Sequence, residues 1–285
     1  MRKGPVRSVP GLPTPGRCLV MGVVNVTPDS FSDGGTWLEP DAAVARGLAL
    51  LADGVDLLDV GGESTRPGAE RVAQSEELGR VVAVVRELAA AGAVVSIDTM
   101  RAPVAAAALD AGASLVNDIS GGLADPAMLP QVAEARVPYV VMHWRGHSAD
   151  MQDFAAYDDV VTDVSGELAA RLDAAKAAGI DPDLTVVDPG FGFAKTPEHN
   201  WRLLAQLDRL HALGHPLLVG AGRKSFLGRL LADEHGTARP ALARDDATVA
   251  TTVLAAAAGA WCVRVHEARG SADAVRVVAQ VAANV

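Results

Sequence analysis

The residues in this chain that could do chemistry come in short polar groups, each placed directly after an apolar run. Asp98 follows Val94-Val95-Ser96-Ile97, Asn117 and Asp118 follow Ser114-Leu115-Val116, and Asp188 follows Leu184-Thr185-Val186-Val187. A carboxylate can accept two parallel N–H donors. Buried acids beside an amide therefore suit a flat heterocycle with amidine-like edges, such as an aminopyrimidinone. Any one of these positions would serve equally well as a helix cap, but three together favour a ligand.

The cations are also grouped. Lys224 ends the stretch Val219-Gly220-Ala221-Gly222-Arg223-Lys224 and is followed by Ser225-Phe226. This is not a Walker A loop, which needs glycine immediately before its lysine; here Arg223 intervenes. A helix starting near Ser225 would offer N–H groups to an anion, and a solvated Arg-Lys pair is the plainer account. Arg264 and His266 alternate along the last apolar run, so they share a face, and with Lys224 they would form a local cationic pocket. Asn25-Val26-Thr27-Pro28-Asp29-Ser30-Phe31-Ser32-Asp33-Gly34-Gly35 follows the apolar run 19–24. Hydrophobic patterning does not explain it, whereas a ligand-holding loop does. Gly61-Gly62-Glu63-Ser64-Thr65-Arg66-Pro67-Gly68 is a second polar loop, either a surface turn or a cover over a site. Gly190-Phe191-Gly192-Phe193-Ala194-Lys195 lacks the third glycine of a dinucleotide fingerprint. No zinc spacing and no Gly-x-Ser-x-Gly elbow occurs.

Positioning these groups requires strands that end at one place. Strands are predicted at 19–24, 56–60, 94–97, 114–117, 139–142, 184–187, 217–219 and 261–265. Helices are predicted at 41–52, 75–91, 103–111, 160–178, 197–213, 226–232, 246–258 and 272–282, with Gly54, Gly92, Gly112 and Gly179 where glycine C-caps belong. Alternating strands and helices imply a parallel sheet, either a doubly wound open sheet or a closed (β/α)₈ TIM barrel. Polar residues follow the carboxyl ends of different strands: Asn25, Asp59 with Glu63, Asp98, Asn117, His143, Asp188, Lys224 and His266. A barrel collects such groups onto one rim, whereas an open sheet clusters them at a switch point, so the barrel is favoured. Residues 1–16, rich in proline and glycine, are expected to form an irregular N-terminal tail, and 17–285 a single domain.

The 285 residues are 49% hydrophobic, and the formal net charge of −10 argues against a nucleic-acid partner. Cys18 and Cys262 have neither zinc nor redox spacing and read as buried thiols in a reducing cytosol. No signal peptide is evident, and the apolar stretch 247–262 is too short to span a bilayer.

In their order along the chain, the two polar loops, Asp188-Pro189-Gly190-Phe191-Gly192-Phe193, Arg223-Lys224-Ser225-Phe226 and Arg264-Val265-His266 resemble the dihydropteroate synthase family. The resemblance runs from the first strand to the last helix. It implies a dimeric, cytoplasmic (β/α)₈ barrel that joins 6-hydroxymethyl-7,8-dihydropterin pyrophosphate to p-aminobenzoate in folate synthesis. By resemblance, Asp98, Asn117, Asp188 and Lys224 would hold the pterin, with Met142 against its ring. Asn25, Arg264 and His266 would hold the pyrophosphate, and Mg²⁺ would sit with Asn25. Phe31, Asp33, Thr65, Arg66, Pro67, Phe193 and Ser225 would form the p-aminobenzoate pocket, where sulfonamides would compete. Two departures stand out: Gly222 where the family often has serine, and Trp144 where it often has methionine. The competing functions are a pterin-binding methyltransferase domain and a non-catalytic pterin-binding paralogue. Without the resemblance, Lys224 would suggest a Schiff-base aldolase.

Overall fold

A computed structural model of the chain describes residues 7–27, 40–64, 68–69, 71–147 and 150–284. The strands are β1 (Leu19–Asn25), β2 (Leu57–Gly61), β3 (Val95–Asp98), β4 (Leu115–Asp118), β5 (Tyr139–Met142), β6 (Thr185–Asp188), β7 (Leu218–Val219) and β8 (Cys262–Val265). All pair in parallel, in the order β6-β5-β4-β3-β2-β1-β8-β7. An isolated bridge from Val187 to Leu217 brings the two ends together. The sheet is therefore a nearly closed barrel and not a doubly wound layer.

Ten α-helices surround it among the described residues: α1 (Pro40–Ala52), α2 (Gln74–Ala90), α3 (Ala102–Asp110), α4 (Met128–Ala135), α5 (Val160–Ala177), α6 (Pro197–Ala205), α7 (Leu207–Leu210), α8 (Ser225–Leu230), α9 (Asp245–Ala257) and α10 (Arg269–Ala282). Helix α4 is absent from the sequence-based assignment. It is short, follows a glycine pair and carries Pro130 in its first turn, where proline is tolerated but hides the helical pattern. The helix predicted over 197–213 divides into α6 and α7 at Gln206, whose angles of −126° and 35° leave the helical region. Gly54, Gly92, Gly112 and Gly179 all have positive φ, as their assignment to helix ends requires.

Side chains alternate along each strand, and this period of two builds the interior in layers. At the amino-terminal end of the barrel, Leu19, Met21, Leu57, Leu115, Val140, Val186, Leu218 and Cys262 pack inward. Val9 and Leu12 from the irregular N-terminal segment are buried in the same cluster and stopper that end. The opposite strand faces, including Val20, Leu58, Val60, Ile97 and Val116, meet the helices in a larger core. Two residues further along the inward face, the apolar layer gives way to Asp59, Asn117, Met142, Asp188 and Arg264. The same alternation that fills the barrel thus delivers polar groups to its carboxyl end, where (β/α)₈ enzymes carry their sites.

Candidate active site

Strand register places the expected site residues around one pit. Asn25 lies opposite Gly61, Gly61 opposite Asp98, Asp98 opposite Asn117, and Met142 opposite Asp188. Gly61 has no side chain to crowd this rim; a Cβ there would stand 3.4 Å from that of Asp98.

Arg264 is the centre of the floor. Its Nε donates to Asp59 Oδ2 at 2.6 Å and its Nη2 to Asp98 Oδ2 at 2.7 Å. Asn117 Nδ2 also donates to Asp59 Oδ2, at 3.0 Å. Asp59 is fully buried and Asn117 nearly so. Sequence reasoning placed Asp59 at a strand end but did not assign it to the site. Its signal was positional: it stands two residues after inward-facing Leu57, as Asn117 stands two after Leu115.

Asp188 accepts a hydrogen bond from the Gly190 amide at 2.7 Å. The following loop turns on two glycines that no other residue could replace cheaply. Gly190 has φ 70°, and a Cβ there would lie 2.5 Å from the His143 carbonyl oxygen; Gly192 has φ 80°, and its Cβ would lie 2.9 Å from Lys224 Cδ. The loop therefore serves close packing, not dinucleotide binding. It brings Phe193 beneath Lys224, whose Nζ sits 4.1 Å from the ring centroid, a cation–π contact. Phe193 and Met142 join Met100 and Ile119 in a buried apolar cluster beside the polar floor.

Behind that loop, sequence reasoning also missed Lys195. It is buried and donates to the Phe193 carbonyl at 3.0 Å and to His143 Nδ1 at 2.9 Å. His143 Nε2 in turn meets Glu167 Oε2 at 3.0 Å, and Arg145 pairs with the same carboxylate. A long cationic side chain in a glycine-rich loop looks solvated in sequence, and only the fold turns it inward.

His266 and Ser225 occupy the rim less deeply. The His266 carbonyl is held by Arg46 Nη2 at 2.7 Å, and its side chain is partly exposed; Ser225 is exposed at the start of α8 beside Lys224. Arg223 turns away from the pit to Asp245 at 2.7 Å, held in a left-handed conformation with φ 56°. Phe31, Asp33, Thr65, Arg66 and Pro67 lie outside the described residues.

Burial dominates the electrostatics. It pushes Asp98 up to about 7 although Arg264 pulls the other way, and Asp188 up to about 6 against the Gly190 amide. Burial also lowers Lys224 to about 8, assisted by Arg264, and Lys195 to about 7. Arg264 moves upward because the attraction of Asp59 and Asp98 outweighs the effect of its burial. His143 falls to about 4 through burial and the nearby Lys195, consistent with a neutral ring accepting at Nδ1. The pit is thus a compact set of opposed charges beside an apolar slot, able to grip a flat, donor-rich ring and an attached anion. Among the described residues it contains no serine or cysteine hydrogen-bonded to a basic partner as an activated nucleophile would be.

Comparison with known proteins agrees with this chemistry. The family model described as "Pterin binding enzyme" matches residues 21–266. A dihydropteroate synthase from Mycobacterium leprae is 58% identical over 260 residues, covering 91% of this chain and 92% of that protein. The solved Yersinia pestis dihydropteroate synthase with a sulfonamide drug complex superposes with a TM-score of 0.89 at 41% identity, covering 97% of this chain and 98% of that one. The Xanthomonas albilineans enzyme in complex with 7,8-dihydropteroate gives 0.83 at 43% identity, covering 93% and 94%. With the barrel, the buried acid–amide floor and the cations at its rim in place, the chain belongs to the pterin-binding enzymes and, within them, to the dihydropteroate synthases.

Proposed function

We propose that this pit is where the dihydropteroate synthase reaction takes place, with 6-hydroxymethyl-7,8-dihydropterin pyrophosphate seated on the floor and p-aminobenzoate arriving at the rim. The supporting observation is the placement of Asp98, Asn117 and Asp188 beside the Met142–Phe193 wall, with Lys224 and Arg264 adjacent. The acids and the amide would hold the pterin edge, Lys224 would donate to the ring, and Met142 would pack on its face. Arg264, His266 and Asn25 would hold the pyrophosphate.

The pterin's methylene–oxygen bond breaks, and its electron pair leaves on the pyrophosphate. The aryl amine then supplies a lone pair to form the carbon–nitrogen bond and gives up a proton. Charge develops on both fragments, so the cations would stabilise the departing anion and the buried acceptors the electron-poor pterin. No covalent protein intermediate is needed, and isolation of a pterin–enzyme adduct after a single turnover would refute this course.

Among the described residues, no group of three or more His, Cys, Asp or Glu side chains could hold a metal. The Asn25 amide oxygen nonetheless fits a Mg²⁺ that keeps its waters and is held mainly by substrate phosphates. When bound with Asn25 and the pyrophosphate, that ion would offset charge on the leaving group. Phe31, Asp33, Thr65, Arg66 and Pro67, with Phe193 and Ser225, would form the p-aminobenzoate pocket, and sulfonamides would compete there as they bind the Yersinia relative.

Residues 17–285 would form one catalytic domain acting as a cytoplasmic homodimer; exposed Leu230 on α8 and Leu254 on α9 offer apolar surface that a second copy would cover. Among the described residues no helix is long and apolar enough to cross a membrane. A coupled assay should show dihydropteroate formation, with one pyrophosphate released per product, only when both substrates and Mg²⁺ are present. Absence of dihydropteroate with all three present would overturn the assignment. Sedimentation at micromolar concentration would test the dimer, and a monomer would exclude it.

A further inference from the structure

Three acids of this barrel, Asp118 and Asp59 buried and Asp56 partly so, show how differently a carboxylate can be used. Asp118 spends both oxygens on its own surroundings: the amides of Ser120 and Gly122, the Ser120 hydroxyl and the Tyr139 hydroxyl. Asp56 accepts from the Val20 amide and pairs with Arg17, tying β1 to the segment before β2. These are structural acids. Asp59 is unlike them. Among the bonds of the described residues it meets no backbone amide, its Oδ2 takes only Arg264 and Asn117, and its Oδ1 has no partner. Its register partner on β3, Ser96, also has a buried hydroxyl without a partner.

A fully buried carboxylate that secures no backbone is a poor stabilising device. Taking such charges out of water costs so much that apolar replacements are often no worse for the fold. The apolar layer directly beneath, at Leu57, shows what this strand face carries where only packing is required.

What Asp59 does is divide Arg264. A guanidinium beside a single carboxylate frequently closes on it in a bidentate fork that consumes both oxygens, as Arg17 does on Asp56 and Arg223 on Asp245. Here the fork is split, with Nε on Asp59 and Nη2 on Asp98 Oδ2. Asp98 keeps its other oxygen clear of the arginine. We propose that Asp59 is a positioning residue for pterin capture: it holds Arg264 and Asn117 in place and prevents Arg264 from closing on Asp98, so that Asp98 remains an open acceptor. This rests on the pit being the pterin site. When ring donors arrive, Asp98 can release Nη2 without setting the guanidinium free, because Nε stays on Asp59.

The test is a double-mutant cycle on the full-length enzyme with steady-state kinetics for both substrates. Asp59→Asn keeps the shape but removes the charge. It should raise KM for the pterin pyrophosphate at least about tenfold, leave KM for p-aminobenzoate within about twofold, and leave the melting temperature unchanged or higher. Arg264→Lys cannot form a fork, so adding Asp59→Asn to it should cost much less than in the wild type. A normal pterin KM in Asp59→Asn, equal rises in both KM values, or strictly additive losses would overturn the proposal. So would a lowered melting temperature without a change in pterin KM. If Asp59→Asn does not fold, Asp59→Ser takes its place in the cycle, and failure of both to fold would mark Asp59 as structural. Asp98→Asn separates the two levels: an unchanged pterin KM there would refute the site assignment itself, whereas a large rise there with none in Asp59→Asn would refute only the role of Asp59.

Discussion

Arg264 touches two carboxylates at hydrogen-bond distance while a third, Asp188, lies close enough to feel its charge. Burial holds Asp98 and Asp188 near neutrality, so their protonation should govern binding at ordinary pH. Asp98 and Asp188, at about 7 and about 6, must be ionised to accept ring donors, and Lys224, at about 8, must be protonated to donate. The kcat/KM for the pterin substrate should therefore rise as pH increases toward 7 and fall above 8, with macroscopic values belonging to the coupled set. A flat profile from pH 5 to 9 would contradict these roles. The stability sign is the reverse of that for a surface aspartate. Because the folded-state values of Asp98 and Asp188 lie above the unfolded ones, their ionised forms cost stability above about pH 7, a cost relieved as pH falls toward 4. Asp188→Ala should weaken pterin binding by roughly 100-fold or more, since ring donors would face an unpaired pocket; near-normal affinity by calorimetry would exclude it as a ligand. At this scale the sequence revealed ligands that end strands, such as Asp98 and Asn117. It hid Asp59 and Lys195, because burial and partners, not residue type, give those two their meaning.

The loop from β6 to α6 shows how an element converts local geometry into a site. Gly190 lets the chain pass within contact of the His143 carbonyl, Gly192 makes room for the Lys224 stem, and Lys195 closes the loop from behind. Tyr157 adds a bond from its hydroxyl to the Ala194 carbonyl at 2.9 Å, and Arg145 stacks over that tyrosine's ring at 3.9 Å. Gly190→Ala would place a methyl against a backbone oxygen at a positive φ, and should destabilise the enzyme by about 1–3 kcal/mol while loosening pterin binding. Thermal melts and pterin titration would check this, and an unperturbed variant would show that the loop can shift freely. Most of the architecture was readable because strand alternation and glycine C-caps are local signals. Helix α4 and the break between α6 and α7 were not, since Pro130 obscures one pattern and continuous helical periodicity runs across the other.

At the scale of the molecule, the barrel separates support from chemistry along its axis. One end is filled by the inward apolar layer and stoppered by Val9 and Leu12, while the other carries the ionic pit. The Pro/Gly content of the N-terminal segment predicts its irregular path, but its packing into the barrel depends on contacts far away in sequence, such as Trp261, which no local pattern encodes. The cylinder is also unevenly laced. Strand β7 is two residues long, and among the described residues its strand pairing toward β6 is a single bridge, Val187–Leu217, just before it, whereas β1 shares five register pairs with β2. Amides of Leu218 and Val219 should therefore exchange with deuterium sooner than those of β2 and β3, and uniform protection around the ring would disprove this. Asp188 ends the strand on one side of this seam, and Lys224 follows the strand on the other. A molecule gripped by both would act as a clasp across the weakest join of the wall, so occupancy should slow exchange there more than anywhere else in the barrel, and the act of holding substrate would complete the enzyme's own hoop.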